Sequence, residues 1–171
     1  SLFAGKREQK NMNRSFGNAL LLVIVFELLL TVFLLIFANP LLKVFGVTET
    51  AYDYAIEYYR IVALGCLFQG LTQLFCDFVR VSGRPVLGMC VTGIGAVTNI
   101  ILDAVFVAFL GWGVAGAAWA TVIGQVLSAL FGLFLVVKGL TKVELEWETF
   151  RFDLRLSSQI VSCGFAFWIS Q

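Results

Sequence analysis

Asp103, Asn99 and Thr121 are the residues whose types and spacing could do chemistry in this chain, and that chemistry is cation binding. Asp103 lies in the apolar run from Pro85 to Leu110, Asn99 comes four residues before it, and Thr121 follows in the next apolar run. Residues four apart on a helix share a face, so Asn99 and Asp103 stack, and Thr92, Gly95 and Ala96 continue the same polar or small stripe. A carboxylate, an amide oxygen and a hydroxyl are hard oxygen ligands. They suit sodium, or a proton on the carboxylate when no metal is bound. The set is one ligand or more short of a closed shell. Asn99 and Thr121 alone read as packing glue between membrane helices, worth well under about 2 kcal/mol. Asp103 points further, because an aspartate near the centre of a spanning helix costs roughly 2.5 to 3.5 kcal/mol and glue does not need an ionisable group.

The medium follows from composition. The chain is 171 residues long, 60% hydrophobic and only 13% charged, far more apolar than a soluble domain, so lipid is its main solvent. A net charge of +1 with no basic, aromatic-interleaved stripe gives no case for nucleic acid. The absence of histidine removes the commonest general base and metal ligand, which disfavours an enzyme. Cys66, Cys76, Cys90 and Cys163 share no metal-ligand spacing and read as small buried hydrophobes, and no cofactor is expected.

The elements that must position the triad are long helices. About 20 mostly apolar residues cross a bilayer, and such stretches run near Phe16–Ala38, Tyr52–Arg80, Pro85–Leu110 and Gly113–Lys138. The fold class is therefore all-α, a polytopic transmembrane helix bundle. The boundaries expected are a cytoplasmic loop over 1–14, four transmembrane helices over 15–139, a cytoplasmic interfacial linker over 140–156, and the start of a further helix over 157–171. Within the linker, Val143 to Leu156 alternates apolar and charged residues and predicts an extended segment, with Trp147, Phe150 and Phe152 at headgroup level. Asn39-Pro40 and Gly83-Arg84-Pro85 are turn signals. Lys6, Arg7, Lys10 and Arg14 precede the first span, Arg80 and Arg84 follow the second, and Lys138 and Lys142 follow the fourth, which places the N-terminal end in the cytoplasm. The chain begins at Ser1 and stops inside the apolar stretch Ile160–Ile169, which predicts a piece of a longer protein.

A very short connection between Leu110 and Gly113 makes the third and fourth spans a hairpin. At 1.5 Å per residue Asp103 lies about 10 Å, and Thr121 about 12 Å, below the outer ends of their helices, so the three polar groups reach similar depth. Gly116, Ala120, Gly124, Ser128 and Gly132 form a small-residue ladder that lets a neighbouring backbone approach. Glu27 is a second carboxylate in an apolar run, with Thr31 on its face. It is either a pathway residue or a protonated acid bonded to Gln69, Thr72 or Gln73. Asp77 and Arg80, three apart, read as an interfacial pair.

Several motifs in order carry a family resemblance. Asn99-Ile-Ile-Leu-Asp103, Gly113-Val-Ala-Gly-Ala-Ala-Trp-Ala-Thr121-Val-Ile-Gly-Gln125, Tyr59-Arg60-Ile61, Arg80-Val-Ser-Gly83-Arg-Pro85 and Asn39-Pro-Leu-Leu together resemble multidrug and toxic compound extrusion (MATE) transporters. The resemblance implies helices three to six and the start of helix seven of a twelve-helix, two-lobe transporter. It further implies exchange of Na+ or H+ for organic, often cationic or amphiphilic, compounds across a plasma membrane of the bacterial inner-membrane type. Partners would be those substrates, the coupling cation, lipid and the remainder of the chain. By the same resemblance Asp103, Asn99 and Thr121 are the cation or proton site, completed by an aspartate on a first helix not present here. Glu27 and Gln125 are candidate pathway residues. The rivals are a lipid-linked oligosaccharide flippase, which would line its cavity with arginines or lysines, and a non-transporting assembly subunit. No basic residue occurs between Ile61 and Val79 or between Pro85 and Val137.

Overall fold

The computed structural model describes residues 2–141 and 153–169. Within them the chain is helical, in the order α1 (Leu2–Ile36), α2 (Ala38–Val44), α3 (Glu49–Val81), α4 (Pro85–Asp103), a π-helical segment (Ala104–Phe109), α5 (Gly113–Val137) and α6 (Leu154–Ile169). Four segments are long and apolar enough to cross a membrane, Asn11–Ile36, Glu49–Val81, Pro85–Phe109 and Gly113–Val137. Helices satisfy every interior backbone group within the segment, which hydrocarbon demands.

Several boundaries differ from the sequence expectation. Residues 2–14, expected as a loop, continue α1, because Lys6, Arg7, Glu8, Gln9 and Lys10 are good helix formers with no proline to stop them. Asn39-Pro40 is not a turn. The break falls at Phe37, and Pro40 sits in the first turn of α2, where its missing N–H costs nothing. Asn39 Oδ1 accepts from the Tyr52 hydroxyl at 2.9 Å, tying α2 to α3. The expected extended run 143–152 lies outside the described residues. Leu154 and Leu156, its last members, belong instead to the first turn of α6. Gly83 (φ +84°) turns the chain between α3 and α4, and Pro85 occupies the first position of α4.

α3 lies between α1 and the α4–α5 pair. Against α1 it packs Phe75 and Phe78 onto Phe16, the latter edge-on at 4.9 Å. Against α4 and α5, Cys76, Val79, Val91 and Leu135 form a second buried cluster. Cys76 donates to Gly88 O at 3.2 Å. Reading every cysteine as buried fails at Cys90, which is exposed on the apolar outer face of α4 alongside Val86 and Met89. The Cys163 side chain lies outside the described residues.

One buried amide ties the two ends of the described chain together. Asn18 is fully buried in α1; its Nδ2 donates to Arg14 O at 2.9 Å, while its Oδ1 accepts from the Asp153 amide at 2.8 Å and the Ser157 hydroxyl at 3.2 Å. Losing an acceptor for buried donors costs about 1 to 3 kcal/mol. Asn18→Leu is therefore expected to speed amide exchange at Asp153 by tenfold or more with α1 itself unchanged; equal exchange in both proteins would show that α6 is held elsewhere.

Candidate functional site

The site begins with how closely α4 and α5 approach. A Cβ placed on Gly124 would lie 2.8 Å from Gly95 O, and one on Gly95 would run into Ser128 Oγ. Only glycine at both positions allows this contact. Ser128 Oγ donates to Val91 O at 2.8 Å, so a hydroxyl locks the two backbones one turn inward. Gly132, further along the ladder, seats Phe75 of α3, whose Cβ would be 2.6 Å from a Cβ added there.

One turn outward from the Gly95–Gly124 contact, Asn99 Nδ2 donates to Thr121 Oγ1 at 3.3 Å. The Thr121 hydroxyl spends its own proton on Ala117 O at 3.0 Å. Its orientation is thereby fixed, with oxygen lone pairs toward α4. The bond uses the NH2 end of Asn99 and leaves the amide carbonyl oxygen outside it. Asp103 follows one turn beyond Asn99 on the same face, at the last residue of α4. Its Oδ1 is buried and has no hydrogen-bond partner among the described residues. A buried, unmatched carboxylate oxygen is costly in any protein interior and more so in a membrane.

The backbone changes character at this aspartate. From Ala104 to Phe109 the helix is π, with Leu110 N–H bonding to Val105 O at 2.9 Å, five residues back. π segments are rare and recur at functional sites. The wide turn puts Asp103 nearer the C-terminal end of its span than uniform α geometry implies. Beyond it, Gly111 and Gly113 take left-handed φ values of +67° and +57° to reverse the chain. Phe106 stacks on Trp112 at 5.0 Å, and Gly116 fits beneath both.

Inward of the Asn99–Thr121 bond lies a cavity of about 250 Å³ between α3, α4 and α5. Amides and hydroxyls line it, notably Gln69, Thr72, Asn99, Thr121 and Gln125. Thr72 Oγ1 bridges to Gln125 O at 3.2 Å. The Gln125 side-chain oxygen, against Gly65, is buried without a hydrogen-bond partner among the described residues. Asp103 does not line this cavity, so the structure brings Asn99 and Thr121 into direct contact at its rim and leaves Asp103 one turn above them.

The other polar residues fall elsewhere. Glu27 lies in the α1–α3 seam against Gly70. Thr72 and Gln73, named as its hydrogen-bonding candidates, are engaged with Gln125 O and with Asp77 respectively. Asp77 and Arg80 pair at 3.7 Å, half-exposed. The cavity and the π segment escaped sequence reasoning; the run Gly111-Trp112-Gly113 was the available signal for an irregular corner.

Comparison with known proteins bears on the family and the fold. A family model named MatE matches residues 1–105. The probable multidrug resistance protein YpnP of Bacillus subtilis (strain 168) is 29% identical over 98 residues, 57% of this chain and 22% of that protein. An inward-facing conformation of a multidrug resistance MATE family transporter of the MOP superfamily superimposes with a TM-score of 0.86 at 27% identity, covering 95% of this chain and 37% of that one. A MOP superfamily transporter from Pyrococcus furiosus, whose reversed binding-pocket polarity suggests a different function for it, superimposes with a TM-score of 0.84 at 26% identity, covering 92% and 35%. The chain thus spans well under half the length of these relatives.

The Asn99–Thr121 bond sets a modest energetic expectation. Thr121→Val removes the acceptor for Asn99 and should cost about 0.6 to 1.7 kcal/mol of stability in detergent; no measurable loss would show that the bond contributes nothing to holding α4 on α5.

Proposed function

The chain belongs to the MatE family, and from that premise we propose that the full-length protein is a cation-coupled antiporter that exports organic compounds, cationic or amphiphilic in character. The observation that carries this reading is the unpartnered, buried Oδ1 of Asp103, one turn from the Asn99–Thr121 bond at the rim of a polar cavity. A secondary transporter needs no cofactor and performs no bond chemistry.

In this reading Asp103, Asn99 and Thr121 receive the coupling cation. Sodium would find a carboxylate, an amide carbonyl and a hydroxyl oxygen, all hard ligands; a proton would need the carboxylate alone. A bound cation can drive transport only through its different affinity for the two facing states. The π segment supplies a physical means. It joins Asp103 to the outer corner, so neutralising the carboxylate alters what that irregular turn must accommodate.

Gln125 offers a buried carbonyl oxygen at the cavity wall, an acceptor suited to the polar end of a substrate. The cavity has no basic lining residue, which argues against a flippase built to hold pyrophosphate. An assembly subunit would need no orphaned carboxylate. Basic residues at the start of α1 and after α3 and α5 support a cytoplasmic N-terminal end.

Asp103→Asn in the full-length protein is expected to abolish ion-driven efflux of a fluorescent organic cation from vesicles while membrane abundance stays unchanged. Undiminished export by that variant would overturn the reading.

A further inference from the structure

Glu27 sits well inside the apolar span Asn11–Ile36, about 24 Å along α1 from Asn11 and about 14 Å from Ile36. A carboxyl at that depth is expensive unless it faces protein or water. Its seat is specific. A Cβ on Gly70 of α3 would lie 2.6 Å from Glu27 Oε1, 2.7 Å from its Cγ and 2.9 Å from its Cδ, so the Glu27 side chain rests directly on Gly70 and would have to swing away from any larger residue there.

The seam is closed above and below this seat. Outward, Thr31 Oγ1 donates to Ala63 O at 3.3 Å and draws α1 onto α3. Inward, Phe16 packs on Phe75 and Phe78, with Leu20 and Leu71 around them. Those inner contacts lie on a different side of α3, since Phe75 is rotated about 140° from Gly70 about the helix axis. α1 therefore crosses α3 obliquely, and among the described residues α1 does not pack on the Gly70 face inward of Glu27.

That face is polar. Gly70, Gln73 and Asp77 follow at helical spacing, and Gln73 and Asp77 are exposed among the described residues. Gln73 Nε2 donates to both Asp77 oxygens at 3.1 Å, and Arg80 pairs with Asp77 at 3.7 Å. With its NH2 committed to Asp77, Gln73 keeps a carbonyl oxygen as an acceptor for a protonated acid or for water. A row of hydrogen-bonding groups thus runs from the seat of Glu27 to the charged end of α3.

We propose that Glu27 is a proton-binding carboxyl in its own right, separate from Asp103, seated on Gly70 and reached along the Gln73–Asp77 face. The proton comes from a hydronium ion on that face, whose O–H bond breaks to leave water as the new O–H bond forms on a Glu27 carboxylate oxygen, and release hands the proton back to water there. Gln73 and Asp77 order the water on that face and do not themselves carry the proton. Cys66 stands closer to this seat than Asp77 does, one turn from Gly70 and not two, and the remaining titratable groups stand further off. α3 presents Cys66 one turn outward of Gly70 and Tyr59 beyond it, with Arg80 at the inner end; α2 brings Lys43 to the outer end of α1, and the start of α6 brings Asp153 to the inner end.

The test is infrared difference spectroscopy between alkaline and acidic pH on the full-length protein in lipid, reading the carbonyl band of protonated carboxyl groups. A component of that band should vanish in Glu27→Gln, persist in Asp103→Asn, and return at a shifted position in Glu27→Asp, which keeps the acid should the glutamine variant fold poorly. After a pH jump it should appear severalfold more slowly in Asp77→Asn. An unchanged band in Glu27→Gln, or its joint loss in Asp103→Asn, would sink the proposal; an unchanged rate in Asp77→Asn would remove the entry route. Because the measurement needs no transport, it can fail while the Asp103 reading stands, and the reverse.

Discussion

The contact between Gly95 and Gly124 is the constraint on which the rest depends. In hydrocarbon, one apolar helix gains little by meeting another, because lipid tails are as apolar as leucine. Association must come from close packing and from polar groups that find partners. A Cβ at Gly124 would meet Gly95 O at 2.8 Å, so the two backbones approach as near as main chain allows. That approach brings Asn99 within 3.3 Å of Thr121 one turn outward, and Ser128 within 2.8 Å of Val91 O one turn inward. Widening it by a methyl group would lengthen both bonds at once.

The same economy recurs on the other side of α3. Gly132 receives Phe75, Gly65 receives Gln125, and Gly70 receives Glu27. Each glycine is paired with a larger side chain from a neighbouring helix, so the helices interlock by knob and notch. Bulky apolar residues such as Phe26, Leu29, Val32 and Ile36 are free to point outward, toward lipid or another helix. Exposed phenylalanines here report the solvent and do not mark a failed core.

Much of this was legible because the period of the sequence matches the period of the helix. Asn99 and Asp103 had to share a face, the three-residue connection had to make a hairpin, and the small-residue ladder had to permit close contact. The hidden parts depend on relations that no single segment encodes. The π segment follows from fitting Phe106, Trp112 and Gly116 into one corner. The Asn18 tie requires residues 135 and 139 positions apart in sequence. The cavity exists because Thr72 is bonded across to Gln125 O while glycines and small residues decline to fill the space. Local pattern gives the faces of helices; what two faces do to one another is a tertiary property.

Asp103 and Glu27 are both membrane carboxyls, yet their surroundings assign them different work. Asp103 stands where regular α geometry ends, above a hydrogen-bonded amide and hydroxyl, and its Oδ1 has no partner among the described residues, the feature on which its proposed cation-binding role rests. Glu27 has no such set around it. Its neighbours are a glycine, an aromatic cluster on one side and a backbone-directed threonine on the other, and these can accommodate a neutral acid but offer no shell for a metal ion. In the proposed reading one site takes the coupling cation and the other a proton, and the helix between them, α3, touches both seams. Any movement of α3 that changes how Gly70 meets Glu27 also changes how Gly65 and Thr72 meet Gln125 at the cavity wall.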